Sequence, residues 1–206
     1  LKALAELEFE YATPIQEKAF PIIMSGRDAV GIAQTGTGKT LAYLLTILRQ
    51  LTFSKQKEPR VLILVPTREL VIQVCAEIDK VAKYSNLRIL GVYGGTNVNT
   101  QKQKIYDGID ILVATPGRLV DLALTGILRL KMVQKLVIDE VDEMLALGFR
   151  PQLISLMEQL PPKRQNLMFS ATLTPDVEAI ISTFFAEPIK IEIAVHGTPI
   201  EKIAQY

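Results

Sequence analysis

The sequence predicts an α/β domain, a mostly parallel sheet flanked by helices on both faces. Three observations carry that expectation. Seven short apolar runs recur along the chain, and segments of helical period separate them. Several runs are continuous rather than alternating, as strands buried on both faces are. The runs are Ala29–Ile32, Val61–Val65, Leu87–Val92, Ile111–Ala114, Leu136–Ile138, Leu167–Phe169 and Ile189–Ile193. Helical period runs from Leu41 to Leu51, Arg68 to Tyr84 and Pro175 to Phe185. Thr174-Pro175 opens the last of these as a cap followed by proline in the first turn. Strand and helix alternating this often build a parallel sheet covered by helices. Ser54 to Pro59 is expected as a surface loop. With no internal repeat and no low-complexity tract, residues 1–206 are expected to form one domain.

Composition narrows the function classes. Apolar residues make up 49% of the chain, ample for a globular core. Lys and Arg total 23 against 22 Asp and Glu, a net charge of +1. Nucleic acid therefore cannot be held by bulk charge, only by a few placed groups. Cys75 is the single cysteine, which excludes a disulfide framework and a zinc–cysteine cluster. A reducing, cytoplasmic setting is expected. Charges interrupt every apolar run well short of the ~18 residues of a membrane span, so no membrane association is expected. The first residue is Leu1 rather than Met, which suggests an excised piece. A monomer is expected.

Ligands of open parallel sheets sit beyond the carboxyl ends of the strands. The segments following the apolar runs are polar and glycine-containing: Gln34 to Thr40, Pro66 to Glu69, Gly94-Gly95, Thr115 to Arg118, Asp139 to Asp142, and Ser170 to Thr172. One edge of the sheet would gather them all.

Ala33-Gln34-Thr35-Gly36-Thr37-Gly38-Lys39-Thr40 follows a strand and opens a helix, the setting of a phosphate-binding loop. Its glycines let backbone N–H groups converge on phosphate oxygens in front of a helix N-terminus. Lys39 would reach the β and γ phosphates, and the Thr40 hydroxyl would ligate Mg²⁺. Ala33 occupies the place of the usual first glycine. The plain alternative is a glycine-rich turn before an ordinary helix. Asp139-Glu140 ends a strand, where Asp139 can hold Mg²⁺ through water and Glu140 can orient the attacking water or take its proton. The alternative there is an acid-rich helix start. Together the two segments favour hydrolysis of a bound nucleotide.

These residues resemble the DEAD-box RNA helicases over essentially the whole chain, and specifically their first RecA-like domain, a phosphate-loop fold. Asp139-Glu140-Val141-Asp142 matches the naming motif with Val141 in place of Ala, which is expected to put two extra methyls beside the metal. Ala33 to Thr40 is the family's own form of the phosphate loop. Ser170-Ala171-Thr172 matches the motif that couples hydrolysis to strand separation, with Asp142 on the same pathway. Phe9-Glu10-Tyr11-Ala12-Thr13-Pro14-Ile15-Gln16 resembles the adenine-reading Q motif. The resemblance implies Phe9 against the base, Tyr11 and Thr13 close by, and the Gln16 amide on the adenine edge. It further implicates Pro66, Thr67, Arg68, Gly94, Gly95, Thr115, Pro116, Gly117 and Arg118 in RNA binding. Hydroxyls, exposed N–H groups and arginines suit backbone phosphates and read no bases.

The resemblance thus implies an ATP-dependent RNA helicase using ATP or ADP with Mg²⁺. A second RecA-like domain beyond Tyr206 would supply arginine fingers and half of the RNA surface, so that this piece alone would be nearly inactive. Two rivals remain: a nucleotide-gated RNA clamp without unwinding, and a phosphate-loop kinase of a small metabolite. The kinase leaves Gln16, Thr115 to Arg118 and Ser170 to Thr172 idle, and the clamp has no need of Glu140. His196 and Cys75 are expected to be incidental.

Overall fold

A computed structural model of the chain describes residues 2–7, 9, 11–96 and 98–193. Glu10, His196 and the segment 200–206 lie outside them. The elements run α1 (Lys2–Glu6), α2 (Pro14–Met24), β1 (Ala29–Ile32), α3 (Lys39–Gln50), β2 (Val61–Leu64) and α4 (Arg68–Val81). Next come β3 (Ile89–Val92), α5 (Val98–Asp107), β4 (Ile111–Ala114), α6 (Pro116–Leu124) and β5 (Lys135–Ile138). The chain continues through α7 (Val141–Ala146), α8 (Arg150–Gln159), β6 (Gln165–Ser170), α9 (Pro175–Phe184) and β7 (Ile189–Glu192). All seven expected strands form, and they make one sheet in the order β3-β4-β2-β5-β6-β1-β7. Every adjacent pair is parallel. All carboxyl ends therefore share one edge.

Side chains alternate across a strand, and that alternation divides the core in two. Leu62, Leu64, Leu112, Leu136, Ile138 and Met168 face the helices α6 to α9. Val61, Ile63, Ile111, Val113, Val137 and Phe169 face α2, α3 and α4. Continuous apolar strands are required because both faces are covered. Val141 belongs to the first of these clusters and is fully buried. Its extra methyls consequently pack into the core.

Among the strands the largest boundary difference is β6. The sequence marks only Leu167–Phe169, whereas the strand spans Gln165–Ser170 and is buried throughout. Its polar start is tolerated because every group finds a partner. Gln165 donates to the carbonyls of Ile23 (2.9 Å) and Arg27 (2.7 Å). Buried Asp28 accepts from the Asn166 backbone N–H (2.7 Å) and side-chain amide (3.1 Å).

A charged cluster closes the opposite edge under β2, β3 and β4. Asp110, 1% exposed, accepts from Arg60 Nη2 at 2.8 Å. It also accepts from Arg88 Nε at 2.9 Å and from the Arg88 backbone N–H at 3.0 Å. Burial works against the carboxylate, yet the hydrogen bonds from Arg88 and Arg60 hold its pKa below the ordinary value.

Candidate functional site

The strand order sorts the six polar segments into two neighbouring groups. Strands β5, β6 and β1 lie side by side and lead into Asp139-Glu140, Ser170-Ala171-Thr172 and the loop from Ala33. Strands β3, β4 and β2 form the other half and lead into Gly94-Gly95, Thr115 to Arg118 and Pro66 to Arg68.

In the first half a cavity of about 630 Å³ is lined by Phe9, Thr13, Gln16, Thr35, Gly36, Gly38, Lys39, Thr40, Asp139 and Glu140, together with one side of α4. These phosphate, base and acidic candidates thus share a single chamber. Ala33, Gln34 and Thr37 shape the loop without lining that chamber. Ala33 pairs with Ser170 through its N–H (3.0 Å), and the Thr37 hydroxyl donates to the Gln34 carbonyl at 2.8 Å. Lys39 is buried and donates through Nζ to the Ala33 carbonyl at 2.9 Å. An ammonium has three N–H donors, so two remain for other oxygens.

Gln16 joins the base end of the chamber to the loop. Its Oε1 accepts from the Thr13 N–H at 3.0 Å, and its Nε2 donates to the Gly38 carbonyl at 3.2 Å. One N–H and one lone pair of the amide are left over. Gly38 sits at φ +89, and a Cβ there would come within 2.5 Å of Gln16 Nε2. Only glycine meets both demands. Thr13 Oγ1 is buried with no hydrogen-bond partner among the described residues. Phe9 is 52% exposed and lines the chamber. Tyr11 differs from expectation: it is 88% exposed and does not line the chamber. It lies on the approach to the helix α2 cap, with its side chain in solvent.

Asp139 is buried, and both carboxylate oxygens are engaged. Oδ1 accepts from the Glu140 N–H at 3.0 Å and Oδ2 from the Tyr43 hydroxyl at 3.0 Å. Burial pushes its pKa up, opposed by the Lys39 charge, the Tyr43 hydroxyl and the Glu140 N–H. Glu140 has a left-handed backbone, φ 53, at the start of α7. That conformation is strained for a residue with a Cβ and is held by its surroundings. Burial, a hydrogen bond with Glu143 and the Asp139 charge raise the Glu140 pKa to about 7. Asp142 accepts through Oδ2 from the Ala171 N–H (3.2 Å), the Thr172 N–H (2.9 Å) and the Thr172 hydroxyl (2.9 Å). Despite burial, the hydrogen bonds from Thr172 and Ser170 lower its pKa.

In the second half, Thr67 caps α4 by accepting from the Leu70 N–H at 3.3 Å. Arg68 is exposed and lies 5.2 Å from the centroid of the Tyr93 ring. Gly94 and Gly95 are exposed, with φ +78 at Gly95. Thr115 precedes α6, Pro116 is buried at its first position, and Gly117 is half-buried. Arg118 donates to the Gln101 side-chain carbonyl (3.3 Å) and to the Thr96 carbonyl (3.4 Å). Gln101, 6% exposed, donates in turn to Thr96 Oγ1 at 2.7 Å and the Tyr93 carbonyl at 3.3 Å.

Sequence reasoning missed Tyr43, Glu143, Gln73, Glu77, Tyr93 and Gln101. Tyr43 carried a readable signal, since it lies one helical turn beyond Lys39 and Thr40 on the same helix. Tyr93 and Gln101 gave none, because Arg68 and Arg118 reach them from other connections, α4 before β3 and α6 after β4.

Fold and edge geometry define a parallel α/β domain with a glycine-rich loop between β1 and α3. Residues 13–180 match the family described as DEAD/DEAH box helicase. The chain belongs to that family, which sets aside the small-metabolite kinase. It is 41% identical over 209 residues to DEAD-box ATP-dependent RNA helicase 24 of Oryza sativa subsp. japonica, covering all of this chain and 27% of that protein. It is 41% identical over 215 residues to the ATP-dependent RNA helicase RhlB of Pseudomonas syringae pv. tomato, covering all of this chain and 54% of that one. Among solved structures it is similar to the yeast DEAD-box splicing factor Prp28, with TM-score 0.88 and 36% identity over 95% of this chain and 48% of that chain. A hypothetical ATP-dependent RNA helicase from Sulfolobus tokodaii gives TM-score 0.86 and 32% identity over 93% and 56%. The chain thus spans from about a quarter to just over half the length of these relatives.

Proposed function

We propose that this chain is the ATP-binding RecA-like domain of an ATP-dependent RNA helicase. The observation that carries the reading is the single chamber that unites Phe9, Thr13 and Gln16 with Lys39, Thr40, Asp139 and Glu140. The base would lie against Phe9, with the free donor and acceptor of the Gln16 amide on the adenine edge. The unpartnered Thr13 hydroxyl offers a further polar contact. Lys39 and the loop N–H groups would hold the phosphates.

The residues present fit Mg²⁺ brought in with the nucleotide. Among the described residues no group of three His, Cys, Asp or Glu could hold a metal. Mg²⁺ usually keeps several waters and takes one or two protein ligands plus phosphate oxygens. Asp139 and Thr40 would hold it, and when bound it would neutralise charge on the phosphates. Glu140 would take the proton of the attacking water. RNA would lie along the second half of the edge, on Arg68, Arg118, Gly94, Gly95 and the N–H groups at the starts of α4 and α6. Such contacts touch the backbone and read no sequence. A second RecA-like domain of the same protein would complete both sites and couple hydrolysis to the opening of short duplexes.

The test uses the natural full-length protein. Glu140→Gln keeps the shape and loses the base, so ATP with Mg²⁺ still binds while RNA-stimulated hydrolysis stops. A normal RNA-stimulated rate in that variant would overturn the role of Glu140.

A further inference from the structure

We infer that the Tyr43 hydroxyl is a positioning group for the metal carboxylate. This rests on the reading of Asp139 as the residue that holds Mg²⁺. A carboxylate nearly buried at a strand end can rotate about its own bond unless both oxygens are held. In this chain both are: Glu140 N–H fixes Oδ1 and Tyr43 Oη fixes Oδ2, each at 3.0 Å. The first donor belongs to the adjacent peptide and comes with the chain. The second comes from another element, α3, whose first turn carries Lys39 and Thr40. Tyr43 therefore ties the carboxylate to the same helix that presents the other polar ligands.

The phenol is itself held. Tyr43 is fully buried, and its ring lies 5.4 Å from that of Phe169, tilted by 42°. Phe169 has room because residue 31 is glycine, where a Cβ would come within 2.7 Å of the Phe169 ring. The burial and this packing leave the Tyr43 ring little freedom, so its hydroxyl is a fixed donor. Partners of this kind, which orient a ligand without touching the ion, typically carry a factor of about 10–100 in metal affinity.

The decisive variant is Tyr43→Phe, which removes one oxygen and keeps the ring against Phe169. Binding of ADP to the full-length protein is measured by calorimetry with Mg²⁺ and again with a chelator. The Mg²⁺ dependence is also followed with Mn²⁺ by electron paramagnetic resonance. Tyr43→Phe is expected to weaken the divalent ion about 10-fold, with ADP affinity in chelator unchanged. An unchanged Mg²⁺ dependence would overturn the proposal. So would an equal loss of ADP affinity with and without metal, because a merely structural role predicts that pattern. Asp139→Asn separates the two levels. If it abolishes the Mg²⁺ dependence while Tyr43→Phe does not, only the role of Tyr43 fails. If neither variant alters it, the metal reading of Asp139 fails as well.

Discussion

The two halves of the sheet edge are built on different plans. On the β5-β6-β1 side, the polar groups enclose a chamber and bind one another through short, mostly buried contacts: Lys39 to Ala33, Gln16 to Gly38, Tyr43 to Asp139. On the β3-β4-β2 side the polar groups stand along the surface, with Gly94 and Gly95 exposed. Arg68 is exposed beside the Tyr93 ring, and half-buried Arg118 is steadied by the Gln101 amide and the Thr96 carbonyl. The difference follows from what each half would hold. A small ligand is surrounded, so its site must be shaped before it arrives. A polymer backbone is touched from one side, and what matters is where a few donors stand.

The largest expected effect concerns the footing of the second half. Asp110→Ala leaves Arg60 and Arg88 around a buried position without their partner, and stability should fall by about 3–5 kcal/mol in urea denaturation. Asp110 has a lowered folded pKa, so its contribution is present above the ordinary value of 3.8 and is lost as the pH falls through the lower folded value. An unchanged urea midpoint would mean that the two halves do not need separate anchors.

Next in size, Lys39→Ala should weaken ATP binding with Mg²⁺ by about 1.5–3 kcal/mol, the range for a hydrogen bond to a charged group. RNA binding measured without nucleotide should stay as it was. Equal losses of both would erase the distinction between the halves.

The smallest effect belongs to the open half. Arg68→Ala and Arg118→Ala should each lower the slope of log affinity against log salt by about 0.7 for single-stranded RNA, without changing its indifference to sequence. If Gln101→Ala reproduces the Arg118 effect, the amide that holds the arginine is part of the RNA surface. If it does not, Arg118 stands without that support.

How much of this was legible in the sequence also differs between the halves. Local signals served the enclosed half well. Gly36, Gly38, Lys39 and Thr40 are adjacent, and their order implies a turn, a helix start and a cation together. The strands were legible for a similar reason, because burial on both faces demands uninterrupted apolar runs such as Val61–Leu64 and Ile111–Ala114. Polar burial was not legible. Gln165 and Asn166 fall outside the apolar run Leu167–Phe169, and Asp28, Ile23 and Arg27 supply their partners from more than a hundred residues away. Tyr93 and Gln101 were hidden likewise, since nothing local marks a tyrosine as a platform or a glutamine as a clamp. Val141 misled in the other direction: its neighbours are catalytic candidates, yet its own side chain belongs to the core.

The Gln16 amide has a consequence for how this site can change over time. The same side chain that would read the base also spans from the Thr13 N–H to the Gly38 carbonyl, across the neck of the loop. A shorter amide could not bridge both, and a carboxylate of equal length would set an oxygen against the Gly38 carbonyl. Position 16 is thus constrained twice over by unrelated demands. Drift toward another base specificity cannot begin there without first reshaping the cradle for the phosphates.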